Sequence, residues 1–454
     1  HVVEGTGSSR PLTCSPLGPP VLFSGSSDTI IALSSGLPPS GVAVIRISGP
    51  SASTVADAFA ATPLHPRRAH LRAIHSPVDG TKLDDALCLW FPAPASATGE
   101  DTLELHCHGG PALVERVLAD AVTLPGVRAA EPGEFTMRAV LNGRMGLPEA
   151  EALGDLIHAR SEAERRRATR LADGALSRAL SDWRTRLIAA LALCEAHLDF
   201  SDEGDVPGAV DVNPPLNALA DDIAAALGSS SDAERLTDGF VIALVGPPNA
   251  GKSSLFNALV GSDRALVSDE AGTTRDVVTA ELEFAGFRVI LADTAGQRAE
   301  ASGVEAMGIA RSGEMMRRAD LVLEVRSPDT APLNPRQPLA VAHKAELAPA
   351  DWQPDAVART SLNDPASIEA LRSWLTQRVR DGLAGAEAAL ITRARQRSAL
   401  QATLSGLREA IEAAPLEVKA EGLRYALGGI ARVTGEVGVE DVLDDVFGRF
   451  CIGK

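Results

Sequence analysis

Apolar and polar residues alternate in short stretches through the first third of the chain. Residues 42–47 and 87–91 have the period of β-strands, whereas residues 51–60 and 111–121 have the spacing of short helices. This mixture predicts an α+β domain over residues 28–143.

A long apolar stripe of helical period follows this domain. Between residues 148 and 200, apolar side chains return every three or four positions, which places them on one face of a helix. They are Leu180, Trp183, Leu187, Leu191, Cys194 and Leu198. Helical periodicity resumes at residue 384 and continues to the C-terminus. We therefore predict a discontinuous all-α domain assembled from residues 144–236 and 381–454.

An apolar run without alternation, residues 240–245, marks a third kind of pattern. Such a run is typical of a strand that is buried on both faces of a sheet. A glycine-rich turn and a helical segment follow it, and further strand patterns alternate with helices. Those strands are predicted at 281–284, 287–292, 321–325 and 339–343. The pattern predicts a doubly wound α/β domain over residues 237–380, inserted into the helical domain.

Composition narrows the class of protein. The 454 residues carry a net charge of −17 and are 45% hydrophobic, which argues against a disordered chain as a whole. Residues 1–27, rich in Ser, Gly and Pro, are predicted to be a disordered extension. No apolar stretch is long enough to predict a membrane span. The five cysteines are scattered, which favours a cytoplasmic location over a disulfide scaffold. The acidic average argues against contact with nucleic acid.

The strongest chemical signal is a G-x-x-x-x-G-K-S motif from Gly246 to Ser253, between a predicted strand and a predicted helix. Lysine is rare in this chain, with 5 residues against 38 arginines, and Lys252 stands in the motif. We expect Lys252 to contact the β- and γ-phosphates of a nucleotide and Ser253 to bind Mg²⁺. The predicted nucleotide contacts here are Asn249, Ala250, Gly251, Lys252, Ser253 and Ser254.

Two later motifs have the order of GTPase switch regions. Asp293 follows a predicted strand in D-T-A-G, where a carboxylate can hold the Mg²⁺ shell and a glycine N–H can meet the γ-phosphate. Between this motif and the P-loop lies G-T-T-R-D, a candidate switch I, whose Thr274 is a predicted Mg²⁺ ligand. The predicted contacts are Gly272, Thr273, Thr274, Asp293, Thr294, Ala295 and Gly296.

The base-reading motif departs from the usual N-K-x-D of GTPases. The matching place reads His343-Lys344-Ala345-Glu346, so the lysine is kept while the Asn and the Asp are replaced. A longer carboxylate can still accept hydrogen bonds from guanine, in a less favourable position. The base contacts predicted here are His343, Lys344, Glu346, Ser361, Leu362 and Asn363.

Taken with these motifs, several longer segments resemble the MnmE (TrmE) family of tRNA wobble-uridine modification GTPases over residues 28–454. They are D-T-I-I-A, V-I-R-I-S-G-P, W-F-P-x-P-x-S-x-T-G-E-D, H-G-G-P, P-G-E-F-T-x-R-A, L-x-x-A-E-A-L-x-D-L-I, P-N-A-G-K-S-S-L-x-N-A-L, A-G-T-T-R-D and F-C-I-G-K. The resemblance implies a fold of an N-terminal α+β folate-binding domain, a discontinuous helical domain and an inserted P-loop GTPase domain.

The resemblance also implies activation by potassium. Asn249 resembles the potassium ligand of the family's P-loop, and residues 268–273 resemble the loop that wraps the ion. A cation held between the α- and γ-phosphates neutralises charge in the transition state. The implied nucleotide contacts of this loop are Ser268, Asp269, Glu270, Ala271, Gly272 and Thr273, and the implied K⁺ ligands are Asn249, Ser268, Glu270 and Thr273.

A folate site and a set of partners come from the same resemblance. The implied site for a tetrahydrofolate derivative, the 5,10-methylene or 5-formyl form, consists of Arg46, Glu104, Arg144 and Lys454. The family forms homodimers through its N-terminal domains. With MnmG, an FAD enzyme, it forms a heterotetramer that adds a carboxymethylaminomethyl-type group to the wobble uridine of certain tRNAs.

Two residues compete for the task of positioning the hydrolytic water. Glu305 matches the family's water-positioning glutamate, while Gln297 follows D-T-A-G as the water-orienting glutamine does in Ras-like GTPases. We favour Glu305 because a carboxylate accepts a proton from water. Cys451, in the C-terminal C-I-G-K, is either a reactive thiol near the folate site or a packing residue.

Other interpretations remain open at this stage. The GTPase domain also suits a ribosome-assembly GTPase, and the altered base motif suits a folate- and partner-binding scaffold with a weakened nucleotide site. The H-C-H segment, residues 106–108, has the spacing of two metal ligands, although a strand end near the folate site is favoured. Residues 158–186 hold eight Arg against four acids; we favour a solvated helix face over a tRNA-binding strip.

Overall fold

The computed structural model describes residues 28–61, 63–199, 212–261, 278–293, 317–330, 339–352, 354–436, 446–448, 450 and 452–453. These residues form two compact units. One unit extends to Met145 and includes the C-terminal residues from Gly438, and the other comprises Gly146–Val437. Within the described ranges, no helix has the length and apolar character needed to cross a membrane.

The first unit contains the predicted α+β domain and also the C-terminal residues from Gly438, which the sequence pattern places in the helical domain. Its strands are β1 (Thr29–Leu33), β2 (Ser40–Ser48), β3 (His70–His75), β4 (Lys82–Phe91), β5 (Thr102–Gly109) and β6 (Val127–Ala129), and its helices are α1 (Ala52–Ala60), α2 (Pro111–Ala121) and α3 (Glu134–Leu141). The sheet has the order β3-β4-β5-β2-β1-β6. All neighbouring strands are antiparallel except β1 and β6. Fully buried side chains of the sheet, such as Ile45 and Leu103, pack with Phe59 of α1.

The first half of the helical domain contains α4 (Leu147–His158), α5 (Glu162–Ala172), α6 (Ala175–Asp199), α7 (Asn213–Gly228) and α8 (Ser230–Asp238). The helical segment is interrupted between α4 and α5, where the residues around Ser161 favour the start of a new helix. Ser161 caps α5 by accepting a hydrogen bond from the N–H of Glu164, and the Glu164 carboxylate accepts one from the N–H of Arg160. This arrangement is similar to a capping box, except that the carboxylate bonds to the N–H one residue before the N-cap; it starts a helix and separates it from the preceding one.

The inserted domain has the predicted doubly wound topology. Its strands are β7 (Phe240–Val245), β8 (Val278–Phe284), β9 (Phe287–Asp293), β10 (Leu321–Arg326), β11 (Ala340–Ala342) and β12 (Ala358–Arg359); its described helices include α9 (Lys252–Gly261) and α10 (Pro365–Gly382). The sheet order is β12-β11-β10-β7-β9-β8, and only the β8–β9 pair is antiparallel. Because β7 lies between β9 and β10, the chain reverses its winding at the carboxyl end of β7, where ligands bind in such sheets.

The helical domain is completed by α11 (Ala394–Glu412) and α12 (Leu416–Thr434). Their buried residues form one core with those of α6 and α7. Four residues of the predicted apolar stripe are buried in that core, and Leu191 and Leu198 pack against it half-buried. Two segments that are far apart in sequence therefore share one core, as the pattern of apolar residues predicts.

Candidate functional site

The loop after β7 is built for close approach to an anion. It leads from Gly246 through Gly251 into α9, which begins at Lys252. Gly246 has a φ of 149°, and a Cβ at this position would lie 2.4 Å from the carbonyl oxygen of Val325. Only glycine fits there. A glycine-rich loop that opens a helix presents backbone N–H groups and the positive end of the helix dipole, which together bind phosphate.

Lys252 is almost completely buried in this loop, with 5% of its surface exposed. Its ammonium donates hydrogen bonds of 2.8 Å to the carbonyl oxygens of Gly246 and Pro247. Burial lowers the pKa of Lys252, while the charge of Asp293 acts in the opposite direction. The ammonium therefore sits inside the loop that surrounds the phosphate position, where a cation is needed.

Ser253 and Asp293 are joined directly. The Ser253 hydroxyl donates a hydrogen bond of 2.6 Å to Oδ2 of Asp293, which is the last residue of β9 and is buried. The two side chains meet because β7 and β9 are adjacent parallel strands, with Leu244 opposite Asp293. A hydroxyl and a carboxylate oxygen side by side are the hard oxygen donors that Mg²⁺ prefers. The pair fits the predicted Mg²⁺ site.

The base-reading loop lies against the P-loop. Lys344 has a φ of 56°, and its ammonium donates a hydrogen bond of 2.6 Å to the carbonyl oxygen of Asn249, which also has a positive φ. The same ammonium lies 3.8 Å from a carboxylate oxygen of Asp329. The two loops that are predicted to hold opposite ends of the nucleotide are therefore in contact.

Glu346 is exposed at this loop and Ser361 lies beside it. A hydrogen bond from the Ser361 side chain lowers the pKa of Glu346, so the carboxylate is charged at neutral pH. The Ser361 hydroxyl also accepts a hydrogen bond of 3.1 Å from the N–H of Asn363. Leu362 and Asn363 are exposed at the turn. An exposed, charged carboxylate is available to accept hydrogen bonds from a base.

His343 differs from its loop neighbours because it is buried, with 1% of its surface exposed. Its Nδ1 is hydrogen-bonded to Oγ1 of Thr360 at 2.9 Å. Thr360 is a residue of this site that sequence analysis does not identify. The available signal is its position directly before Ser361, but nothing in the pattern of the chain indicates that its hydroxyl meets the ring of His343.

Several predicted site residues lie outside the described residues. These are the switch and potassium-loop residues 268–274, Thr294, Ala295, Gly296, Gln297, Glu305, Cys451 and Lys454. Their assignments remain predictions.

In the first unit, Arg46 and Glu104 lie opposite each other on β2 and β5. The Arg46 guanidinium donates a hydrogen bond of 3.0 Å to Oε1 of Glu104 and lies 5.8 Å from the ring centre of Phe135. Arg144 is exposed, with its Cγ beside Gly99. A carboxylate, a cation and an aromatic ring at one place fit the hydrogen-bonding edge and flat face of a pterin.

The two histidines of the H-C-H segment have separate partners. His106 Nε2 lies 3.1 Å from Oε2 of Glu104, and His108 Nδ1 lies 2.8 Å from Oδ1 of Asp84. Among the described residues, no group of three or more His, Cys, Asp or Glu is arranged to hold a metal ion. His106 instead takes the second oxygen of the Glu104 carboxylate, whose first oxygen is bound by Arg46, and so fixes its orientation.

The P-G-E-F-T-x-R-A segment forms a buried ionic cluster. Arg138, with 2% of its surface exposed, contacts the carboxylates of Asp28, Glu100 and Glu134 at 2.8, 3.2 and 2.9 Å. Arg128 also contacts Asp28 and Glu134. The cluster joins α3 to the start of β1, so these residues stabilise the fold.

The C-terminal residues pack onto this unit. Ser34 donates a hydrogen bond of 2.6 Å to the carbonyl oxygen of Gly453, and Ile452 pairs with Pro132 as an antiparallel bridge. Gly453 has a φ of 96°, and a Cβ there would lie 1.9 Å from the carbonyl oxygen of Leu33. The end of the chain is therefore held against the end of β1.

The arginine-rich segment 158–186 is held by intramolecular contacts. Its arginines bond to acidic side chains or to backbone oxygens: Arg160 to Glu281, Arg165 to Glu162, Arg166 to Glu162 and Glu387, Arg167 to Ala233, Arg170 to Glu387 and Ala389, Arg178 to Asp173, Arg184 to Glu436, and Arg186 to Asp182 and Asp222. These contacts favour the interpretation of a structural helix face over a tRNA-binding strip.

Two family models match the chain. The GTP-binding protein TrmE N-terminus matches residues 29–144, and the MnmE helical domain matches residues 147–451.

Curated relatives match almost the whole chain. The tRNA modification GTPase MnmE of Azorhizobium caulinodans is 49% identical over 436 residues, which are 94% of this chain and 99% of that protein. The tRNA modification GTPase MnmE of Methylobacterium radiotolerans is 48% identical, with the same coverage. Among solved structures, the G domain of the T. maritima FeoB iron transporter is 24% identical and covers 32% of this chain and 98% of that one, with a TM-score of 0.24. A TM-score this low adds nothing to the assignment.

Proposed function

The chain belongs to the MnmE family of tRNA modification GTPases, and from this premise we propose that it is a potassium-activated GTPase that acts with a flavin enzyme and a folate on the wobble uridine of tRNA. Family membership makes it a GTP hydrolase of tRNA modification. The observation that supports the chemistry most directly is the P-loop with buried Lys252 and the bonded pair Ser253 and Asp293. The match over nearly the whole length argues against the ribosome-assembly alternative.

In the proposed site, Lys252 and the P-loop backbone bind the phosphates, and Ser253 and Thr274, with Asp293 beside them, would hold Mg²⁺. Mg²⁺ supplies charge neutralisation at the phosphates when it is bound. Asn249, Ser268, Glu270 and Thr273 are the proposed K⁺ ligands. Asn249 is exposed at the loop, which leaves its side chain accessible for such a role.

We expect GTP hydrolysis to be on the order of a hundredfold faster in potassium than in sodium, because a fixed cation then neutralises charge in the transition state. Glu305→Ala should abolish this stimulation and leave GDP binding unchanged, since the carboxylate activates water and does not hold the nucleotide. Initial rates of phosphate release in the two salts, with ATP as competitor, test the stimulation, and a GDP titration tests the binding.

Gln297→Ala is the matched variant for this experiment. If it loses the stimulation and Glu305→Ala keeps it, Gln297 is the water-positioning residue. Equal rates in potassium and sodium, or equal use of ATP, contradict the proposed GTPase mechanism.

The proposed folate site holds a tetrahydrofolate derivative that supplies one carbon. Glu104, held by Arg46, suits the amino and N–H edge of the pterin, while a basic group such as Arg144 suits the carboxylates of the glutamate tail. Lys454 is a further proposed contact. The pairing of Glu104 with Arg46 and His106 supports a preorganised carboxylate at this position.

Glu104→Gln should weaken binding of 5-formyltetrahydrofolate by about tenfold or more, because a hydrogen bond to a charged group contributes about 1.5–3 kcal/mol. Glu115→Gln, which removes an exposed carboxylate on α2, is the charge-matched control and should bind normally. Titration calorimetry with the full chain measures both. Normal binding by the Glu104 variant would place the folate elsewhere.

The proposed assembly is a homodimer that forms a heterotetramer with an MnmG-type FAD enzyme in the cytoplasm. Membership of the MnmE family supports it, as it supports tRNA as the substrate and a carboxymethylaminomethyl-type group as the product at the wobble uridine. The proposed domain division is 28–143 for the folate domain, 144–236 with 381–454 for the helical domain and 237–380 for the GTPase domain. The family-model boundary between residues 144 and 147 supports the first division.

A further inference from the structure

The side chain of His343 joins three separate segments of the GTPase domain. Its Nδ1 is hydrogen-bonded to the fully buried Thr360 at the end of β12. Its ring lies directly on Gly251 of the P-loop, where a Cβ would be 2.4 Å from Cδ2 and 3.0 Å from Nε2 of His343. One buried imidazole therefore fills the space between the P-loop and the ends of the neighbouring strands β11 and β12.

The backbone around this ring is held on each side. The N–H of His343 donates to the carbonyl oxygen of Arg326, and the N–H of Thr360 donates to that of Ala342, at 2.8 and 2.7 Å. The N–H of Ala345 donates in turn to the carbonyl oxygen of Thr360. These backbone hydrogen bonds fix the segments on both sides of the ring, so the position of the ring is set by the strands β10, β11 and β12.

We propose that His343 is a positioning residue for the nucleotide: its neutral ring, fixed by Thr360, holds the base-reading loop against the P-loop. We place the buried ring in this contact between the loops in preference to a direct contact with the base. The Lys344 ammonium also donates a hydrogen bond to the carbonyl oxygen of Asn249 in the P-loop. The base-reading loop, which contains Glu346, therefore contacts the P-loop at two points, through His343 and through Lys344. A nucleotide then meets both ends of its site already at the correct separation.

The charges around the ring favour its neutral form. Burial lowers the pKa of His343; the carboxylate of Glu346 opposes this effect and the ammonium of Lys344 adds to it. The other charged residues on the packed segments are Lys252, next to Gly251, and Arg359, next to Thr360. Burial and the Lys344 ammonium outweigh the Glu346 carboxylate, so protonation of the ring should loosen the contact between the two loops.

Thr360→Val tests the proposal, because valine keeps the shape of threonine and removes the hydroxyl that holds the ring. We expect the affinity for GDP to fall about tenfold, which corresponds to about 1.4 kcal/mol. Thr360→Ser, which retains the hydroxyl, should restore it. Thr403→Val is the matched control: Thr403 is also fully buried, and its hydroxyl bonds to the Ala399 carbonyl oxygen within α11. Fluorescent-GDP titrations and thermal melting of the full chain give the affinity and the stability of each variant.

The outcomes separate positioning from simple packing. A Thr360→Val protein that melts earlier but binds GDP as tightly as the wild type overturns the proposal. If that variant does not fold, the proposal is tested instead by the affinity for GDP measured as a function of pH, in the wild type, Thr360→Ser and His343→Asn. We expect constant GDP affinity above about pH 6.5 and weaker binding below it in the wild type and in Thr360→Ser, but a flatter profile in His343→Asn. Identical profiles for the wild type and His343→Asn refute the role of the ring.

Discussion

Replacing Lys252 by methionine should lower the rate of GTP hydrolysis on the order of a hundred- to a thousandfold, the usual effect of removing one preorganised charge donor at a transition state. The ammonium is buried in the P-loop and bonded to the Gly246 and Pro247 carbonyl oxygens, so it is already at the phosphate position. Methionine keeps the length of the side chain and removes its charge. Single-turnover hydrolysis and GDP titration measure the loss.

Lys419→Met is the control for this variant, because Lys419 resembles Lys252 in its burial and in its hydrogen bonds. It is also a buried lysine, with 7% of its surface exposed, and its ammonium donates two hydrogen bonds of 2.7 Å, to Oδ1 of Asn213 and the carbonyl oxygen of Ala410. Lys419→Met should destabilise the helical domain while the folded protein hydrolyses GTP at a normal rate. If both variants lose hydrolysis equally, the effect of Lys252 is one of folding and the assignment fails.

Replacing Arg138 by methionine should destabilise the first unit by about 3 kcal/mol, the lower end of the cost of breaking a buried ion pair. The variant removes one of the two guanidinium groups that contact Glu134, a residue with 1% of its surface exposed. Arg128 still bonds to Glu134, which is why the lower end is expected. Hydrogen exchange of the amides in β1 and α3, measured on the full chain under increasing urea, reports the stability of this unit.

The same cluster makes stability depend on pH. Burial acts to raise the pKa of Glu134, but the hydrogen bonds from Arg128, the N–H of Glu131 and Arg138 outweigh it and lower the pKa. The stabilisation is therefore complete above the ordinary glutamate pKa of about 4.3 and decreases as the pH falls below it. Arg138→Met should weaken this dependence.

Arg424→Met is the control for the arginine variant. Arg424 also bonds to two carboxylates, those of Glu195 and Glu421, and the side chains of all three residues are 45% or more exposed. We expect a much smaller loss of stability, because water replaces the lost contacts. Equal effects of the two substitutions would mean that the buried cluster is not what holds α3 to β1.

Much of the fold was predictable because it depends on local patterns. The run 240–245 forms β7, and the pattern at 321–325 lies in β10, since a strand buried on both faces needs uninterrupted apolar residues. The strands β1, β3, β6 and β12 are not predicted by the pattern. Of these, β6 and β12 have only three and two residues, too few to show a period, and each pairs with a neighbour that brings it into the sheet.

The candidate site divides in the same way. The P-loop residues were predictable because phosphate binding needs glycine, lysine and serine at fixed spacing within one loop. The contacts of His343 could not be predicted in this way. They are made with Gly251, which lies 92 positions before it, and with Thr360, which lies 17 positions after it. Its place in the base motif predicts a contact with the nucleotide, whereas its burial indicates a contact between loops.

The sequence by itself determined the three kinds of domain, the P-loop and the family. Each of these depends on residues that are close together in the chain or regularly spaced along it. Only the tertiary structure decided which polar groups meet. It joined Ser253 to Asp293, His343 to Thr360, and Arg138 to its three carboxylates. The physical reason is that a buried polar group must find its partner wherever packing brings one, and packing in this chain connects segments that are far apart in sequence.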